Sequence, residues 1–305
     1  MNKFALIIAS LFLAFSTLAC CCFPVPILPR NVEFPDIEIP DVEIPELEVG
    51  PTEEYREQIP LDGTDEARVN VRFGAGDITL TAGDPDQLFD GTFRTNVTAW
   101  APEVSWEAGR LRIDQGSSEG IPVSDDFENE WNLTFSPGAE LEMDLEIGAS
   151  DGELDFTGLA LTDLSLETGA SNLDVFFNEP NPADMNELKI QAGAADLLVE
   201  GIGNASPDRV RVDGGVGDLT FDFSGDWTKS TDVNIMAGAS AVTLRFPRDV
   251  GVQVTVEGLG SVDADADFSR SGDTYTNSAF GTADVEIVVD LSLGVGDVNL
   301  ELIGE

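Results

Sequence analysis

The chain has 305 residues with 15 Lys+Arg against 58 Asp+Glu, a net charge of -43, and no histidine. Imidazole chemistry is thereby excluded, including Ser-His-Asp and Cys-His nucleophilic sites and His-ligated zinc or haem. A chain this acidic is repelled by phosphates, so no nucleic acid is expected as a partner. At 42% hydrophobic and 24% charged it is globular in composition, and its 30 glycines favour turns and strands over long helices.

Residues 1–20 read MNKFALIIASLFLAFSTLAC. One cation is followed by an apolar run too short for a comfortable membrane span and of the length of an export signal's h-region. The ending STLAC resembles a bacterial lipoprotein signal, which implies cleavage after Ala19, residues 1–19 as the signal peptide, and acylation of Cys20. The competing reading is an ordinary cleaved signal or an uncleaved anchor. All three cysteines stand at Cys20, Cys21 and Cys22, so no disulfide framework is available to the rest of the chain. The expected location is extracytoplasmic, with a lipid anchor to the cell membrane.

Residues 20–60 follow as an acidic, proline-rich stalk. The unit PDIEI, PDVEI, PELEV recurs from Pro35 to Val49, and proline at every fifth position removes backbone donors and favours extended chain. A free spacer is the first expectation. The alternation of Ile and Glu also allows a strand docked along a sheet edge, where proline is tolerated.

From Leu61 a short motif returns: an alternating apolar strand, a Gly-small-small-Asp turn, and a second alternating strand. Copies include VNVRFGAGDITL at 69–80, LEIGASDGELDF at 145–156, LKIQAGAADLLV at 188–199, VRVDGGVGDLTF at 210–221 and LSLGVGDVNLEL at 291–302. The turn glycines Gly148, Gly169, Gly193, Gly215, Gly238 and Gly258 recur at about 22 residues, the period of a β-solenoid coil. The fold expected is all-β: a β-solenoid over 141–305 behind an N-terminal β module at 61–140. An antiparallel meander or sandwich is the alternative, because strand-turn-strand also reads as a hairpin. Residues 84–140 interrupt the rhythm and carry Trp100, Trp106 and Trp131. They suit a cap on the end of the stack; the functional alternative is an aromatic platform for a ligand.

The serial GAGD, GASD and GVGD turns, together with the NEWNLTF segment at 129–135, resemble the bacterial toast-rack or candidate-adhesin domains. They are also similar to the C-terminal domains of cell-wall-active-antibiotic response proteins. The resemblance implies a β-solenoid at the cell envelope, with no catalytic residue to carry over.

Stacking in register would bring Asp77, Asp151, Asp196, Asp218 and Asp297 to one corner. Such a column could attract calcium or be satisfied by turn amides alone; Asn172, Ala241 and Ser261 interrupt it, and no metal or cofactor is assigned. Asp263, Asp265 and Asp267 in SVDADADF would share one strand face at about 6.6 Å, a separation used by inverting glycosidases. The function expected is a non-enzymatic binding, adhesion or envelope-sensing module, its partners the membrane through the lipid and an envelope glycan or surface protein. The alternatives are a carbohydrate-active enzyme and a ligand-free spacer.

Overall fold

A computed structural model of the chain describes residues 46–304, except 117–120 and 123–126. The signal, Cys20 and most of the stalk lie outside the described residues. In chain order the strands are β1 (Glu46–Leu47), β2 (Val49–Pro60), β3 (Glu66–Ala82), β4 (Gln87–Val97), β5 (Pro102–Glu107), β6 (Arg110–Gln115), β7 (Ile121–Pro122) and β8 (Asn129–Phe135). They continue as β9 (Glu140–Asp155), β10 (Ala160–Phe176), β11 (Glu187–Glu200), β12 (Arg209–Asp222), β13 (Thr231–Pro247), β14 (Gly251–Ala264), β15 (Ser269–Ser271), β16 (Thr274–Thr276) and β17 (Glu286–Ile303). All but the β1–β7 pair belong to one open mixed sheet of 15 strands.

The backbone of that sheet is a run of long strands paired in parallel, in the order β3, β9, β10, β11, β12, β13, β17, β14. Each motif copy is therefore half of no hairpin. It is one long strand, and its neighbours are other copies, which overturns the antiparallel-meander alternative for this part of the chain. The register carries motif onto motif: Leu166 faces Ile190 and Leu173 faces Leu197, while Val212 faces Ile235 and Leu219 faces Val242.

Each long strand from β3 through β13, and β17, changes phase at its glycine; β14 keeps one phase through Val252, Val254 and Val262 and meets β17 through a register shift between Gly258 and Leu259. Before the turn, alternate residues such as Val69, Val71 and Phe73 are buried; after it, Ile78 and Leu80 are. From Phe73 to Ile78 is an odd step, and the same step separates Ala192 from Leu197, Ala237 from Val242 and Leu293 from Val298, all buried. In an uninterrupted strand an odd step puts side chains on opposite faces. The turn thus inserts the slip that lets both arms of a rung send their apolar set into one core.

Glycine is required there by space. A Cβ built on Gly169 would lie 2.7 Å from Gly148 O; on Gly193, 2.7 Å from Gly169 O; on Gly238, 2.6 Å from Gly215 O; on Gly294, 2.6 Å from Gly238 O. From β3 to β17 each corner glycine presses its carbonyl onto the bare Cα of the next, while at β14 Gly258 meets Leu293 O instead. Beyond the second arm a column of phenylalanines closes the core: Phe156 and Phe177 stack at 5.5 Å, and Phe223 and Phe246 stack at 5.0 Å.

The N-terminal end is closed by a divided rung. β6 pairs with the first arm of β3 and β8 with its second arm; residues 116–128 stand between them where other rungs have a glycine corner. Side-chain amides replace the missing corner. Gly74 N donates to Gln115 Oε1 (2.9 Å), and Asn129 Nδ2 donates to Ala75 O (2.6 Å) and to Gln115 Oε1 (3.0 Å). Antiparallel β5 and β4 then lie on β6 and β8. An aromatic cluster fills the end of the core, with Trp131 centred 5.0 Å from Phe73 and 4.9 Å from Phe93.

One sequence expectation is corrected here. Residues 49–60, assigned to the stalk, form β2, which pairs antiparallel with β4; the folded body starts before Leu61. Its Pro51, Pro60 and charged side chains suit an edge strand. Arg56 grips Asp90 with two hydrogen bonds, at 3.1 and 2.7 Å. That contact, helped by Gln58, holds the Asp90 carboxyl below the usual carboxylate range, so the stabilisation is present above that range and is lost as pH falls through the depressed value.

Rungs do not stack strictly in sequence: β17, last in the chain, enters between β13 and β14 and pairs with both in parallel. Residues 248–250 therefore step over a vacant place that the C-terminal strand fills. Arg248 secures it, donating from Nε to Gly304 O (3.1 Å) and from Nη2 to Leu302 O (3.2 Å).

Gly193→Ala should destabilise the protein by about 1–3 kcal/mol, because the added methyl is forced against a backbone carbonyl that cannot yield without moving a rung. Chemical denaturation checks this, with Ala194→Ser next to it expected to stay within about 0.5 kcal/mol of the parent.

Candidate functional site

The glycine corners line up as a ridge along the stack, and the residues after each glycine form columns of their own. The first column runs Ala75, Ala149, Ala170, Ala194, Val216, Ala239, Val295, Leu259. Alanine fills its N-terminal part, and Val216, Val295 and Leu259 stand in its C-terminal part with Ala239 among them. Val216 is 56% exposed, Val295 51% and Leu259 74%; Met236, on the first arm of β13, is 52% exposed. These are the exposed large hydrophobics among the described residues, and all four lie on β12, β13, β17 and β14.

Two places further on, the expected acidic column is present. Glu130, Asp77 and Asp151 are neighbours across β8, β3 and β9, and Asn172 faces both Asp151 and Asp196. Asp218 faces Ala241, and Ser261 faces Asp297. Adjacent members are about 4.8 Å apart in the pairing direction. Burial, with the charges of Asp151 and Glu130, pushes the Asp77 carboxyl up. Elsewhere the column is satisfied by its own rungs: Asp218 N donates to Asp196 Oδ1 (3.2 Å) and Ser261 Oγ to Asp297 Oδ1 (2.6 Å). A line of single carboxylates is not a cage, and among the described residues no group of three or more acidic, Cys or His side chains is placed to hold a metal ion.

The outer face of the first arms is of mixed sign. Arg68 pairs with Glu142 (2.7 Å), Arg72 with Glu146 (3.1 Å) and Arg211 with Glu187 (3.2 Å). Cations thus offset the acids on that face, and the corner has an apolar ridge beside the carboxylate column, whose Asp196 and Asp297 accept hydrogen bonds from neighbouring rungs.

The other expected site residues fare differently. Trp131 is 1% exposed and Trp100 4%, and Trp106 is partly buried against the same core. Trp131 and Trp100, buried in this way, have no face to stack on a sugar, so the three rings do not form the expected platform. The triplet Asp263, Asp265, Asp267 does not share a strand face, because β14 ends at Ala264. Asp265 Oδ2 accepts from Leu302 N (2.8 Å), and Asp267 pairs with Arg248 (2.6 Å). Cys20, the expected lipidation site, lies outside the described residues.

The ridge itself escaped the sequence reading, although its signal was there: the turns GVGD and GLGS carry Val or Leu where GAGD and GASD carry Ala. For the acidic column, Asp77→Asn should raise the melting temperature at neutral pH by the equivalent of a few tenths of a kcal/mol, the side chain being largely exposed. A raised folded-state pKa stabilises only below the ordinary carboxylate range and is lost as pH rises through the raised value. The advantage of the variant should therefore shrink as the melt is repeated at lower pH.

Residues 48–200 and 186–245 match the model of the N-terminal domain of toast_rack, DUF2154. Among solved structures the chain is similar to a candidate cell adhesion protein from Clostridium sporogenes (22% identity, 83% of this chain and 100% of that one, TM-score 0.45). It is also similar to a candidate adhesin from Bacteroides fragilis (13% identity, 83% and 100%, TM-score 0.40). A candidate lipid binding protein from Parabacteroides distasonis aligns at 9% identity (84% and 97%, TM-score 0.35). A search of the curated proteins found no match. With its matched segments spanning more than half of its length, the chain belongs to the toast-rack N-terminal domain family.

Proposed function

We propose that the protein is a non-enzymatic contact module displayed outside the cytoplasm. In this reading acylated Cys20 fixes it to the membrane, the acidic proline-rich segment holds it away from the surface, and a β-solenoid of coils of about 22 residues presents a rigid face to an envelope partner. The observation that carries the reading is the corner of the C-terminal rungs. Val216, Val295, Leu259 and Met236 stand more than half exposed on a chain of net charge -43, beside the carboxylates of Asp218 and Asp297. Exposed apolar side chains gathered in one place and rimmed by charge mark interaction surfaces. Rigidity favours the same use, since a stack already ordered loses little conformational entropy when it binds.

The test uses full-length protein and envelope preparations from the producing cell. Saturable binding is expected, and Val216→Asp with Val295→Asp should weaken it at least tenfold while leaving the melting curve in place; unchanged binding would show that the ridge is not the contact. Cys20→Ser should lose acyl label and leave the membrane fraction, because two or more acyl chains hold where none remains.

A further inference from the structure

We infer that the outer edge of the second arm of β14 takes up an extended, cationic segment of another polypeptide as an added β-strand. The inference deepens the contact-module reading and rests on it. Among the described residues, this arm pairs along Gly258–Ala264 with β17 alone, on one side. On the other side, β16 pairs with Gln253, Val254 and Thr255 and stops there, and β15 pairs with β16. The hairpin thus covers the first arm and leaves the second open.

The direction of the free groups follows from the ladder. Asp265 N donates to Leu300 O, and in a parallel strand successive residues turn their N–H and C=O alternately to the two sides. Val262 and Ala264 therefore present theirs away from β17, as an edge available to an incoming chain. Three further features prepare that edge. Leu259, at its start, is the most exposed of the large hydrophobics. A hollow of about 110 Å³ lies between the arm and the hairpin. Tyr275 lines this hollow at 4% exposure, and its buried hydroxyl has no hydrogen-bond partner among the described residues, which leaves a polar anchor for a side chain or carbonyl entering there.

Charge selects the occupant. Asp263 is exposed on the arm itself and Asp273 lines the hollow, with Arg270 as the nearby cation over the Tyr275 ring. A second copy is disfavoured: it carries the same -43, and its own outer strand β2 would bring Glu53, Glu54 and Glu57 against these acids. A strand alternating Lys or Arg with β-branched residues meets both the acids and the apolar floor.

The probe is a synthetic octapeptide of alternating lysine and valine, titrated into the full-length protein by calorimetry, with a glutamate–valine octapeptide as its counterpart. Binding of the first and not the second is expected, together with at least tenfold slower amide exchange at Val262 and Ala264. Ala264→Pro, which removes an outward N–H while sparing the β17 ladder, should abolish binding, and Asp263→Lys should weaken it at least tenfold; both variants should keep the parent's melting temperature within a few degrees. No binding, equal binding of the acidic peptide, binding indifferent to both substitutions, or sedimentation showing self-association through this edge would overturn the proposal. Neither variant alters Val216 or Val295, so envelope binding lost in the ridge variant but kept in Ala264→Pro would refute strand addition and leave the contact-module reading standing.

Discussion

The structure depends on one close approach: a backbone carbonyl at each corner set against the bare Cα of the glycine in the next rung. Parallel strands can stack at about 4.8 Å only if nothing projects along the stacking direction, and at the turn the backbone is oriented so that a Cβ would do so. Glycine removes the obstacle. The turn around it supplies the odd step that reverses the alternation of inside and outside, so two arms with independent period-2 patterns share one core. Either effect without the other would fail: a slip without space could not stack, and space without a slip would turn the second arm's apolar side chains to water.

The ends show how a stack of this kind is terminated. At the N-terminal end a rung is cut at its corner, and the amides of Gln115 and Asn129 take over the hydrogen bonds that corner backbone would have made. Antiparallel strands, an aromatic plug and a charged, proline-bearing edge follow, each a recognised way to stop further pairing. At the C-terminal end the chain lays down β14 first and fills the gap with β17 afterwards, so the last strand is held on both sides. The hairpin covers half of what remains. The asymmetry between a thoroughly sealed end and a half-open one, with the exposed apolar ridge growing toward the latter, is why the functional reading is placed at the C-terminal rungs.

Much of this was legible in the sequence. The all-β class, the 22-residue recurrence and the column from Asp77 through Asp151 to Asp196 follow from period-2 alternation and a repeated Gly turn, both local signals. The cap over residues 84–140 was legible as a break in rhythm with bulky aromatics. What was not legible depends on pairing at a distance. Nothing in the local pattern of β17 distinguishes a strand stacked after β14 from one inserted before it, since the same apolar alternation satisfies either neighbour. The docking of residues 49–60 turned on whether an acidic, proline-bearing segment finds a free edge, and composition argued for a spacer. The tryptophans illustrate a general ambiguity, because an aromatic cluster reads equally as plug or platform until burial is known. Asp263, Asp265 and Asp267 were placed on one strand by spacing alone, and the strand ends between the first and second.

If each rung is stable because it rests on its neighbours, the stack should tolerate the loss of one whole unit. Removing residues 187–208 joins Asn186 to Arg209 and brings β10 against β12 with Gly169 opposite Gly215 and Leu173 opposite Leu219, as the present registers of both strands on β11 require. The shortened protein should melt cooperatively with an unchanged strand signature in circular dichroism. Loss of cooperative folding in this variant would show that the rungs are not interchangeable units and would contradict the account.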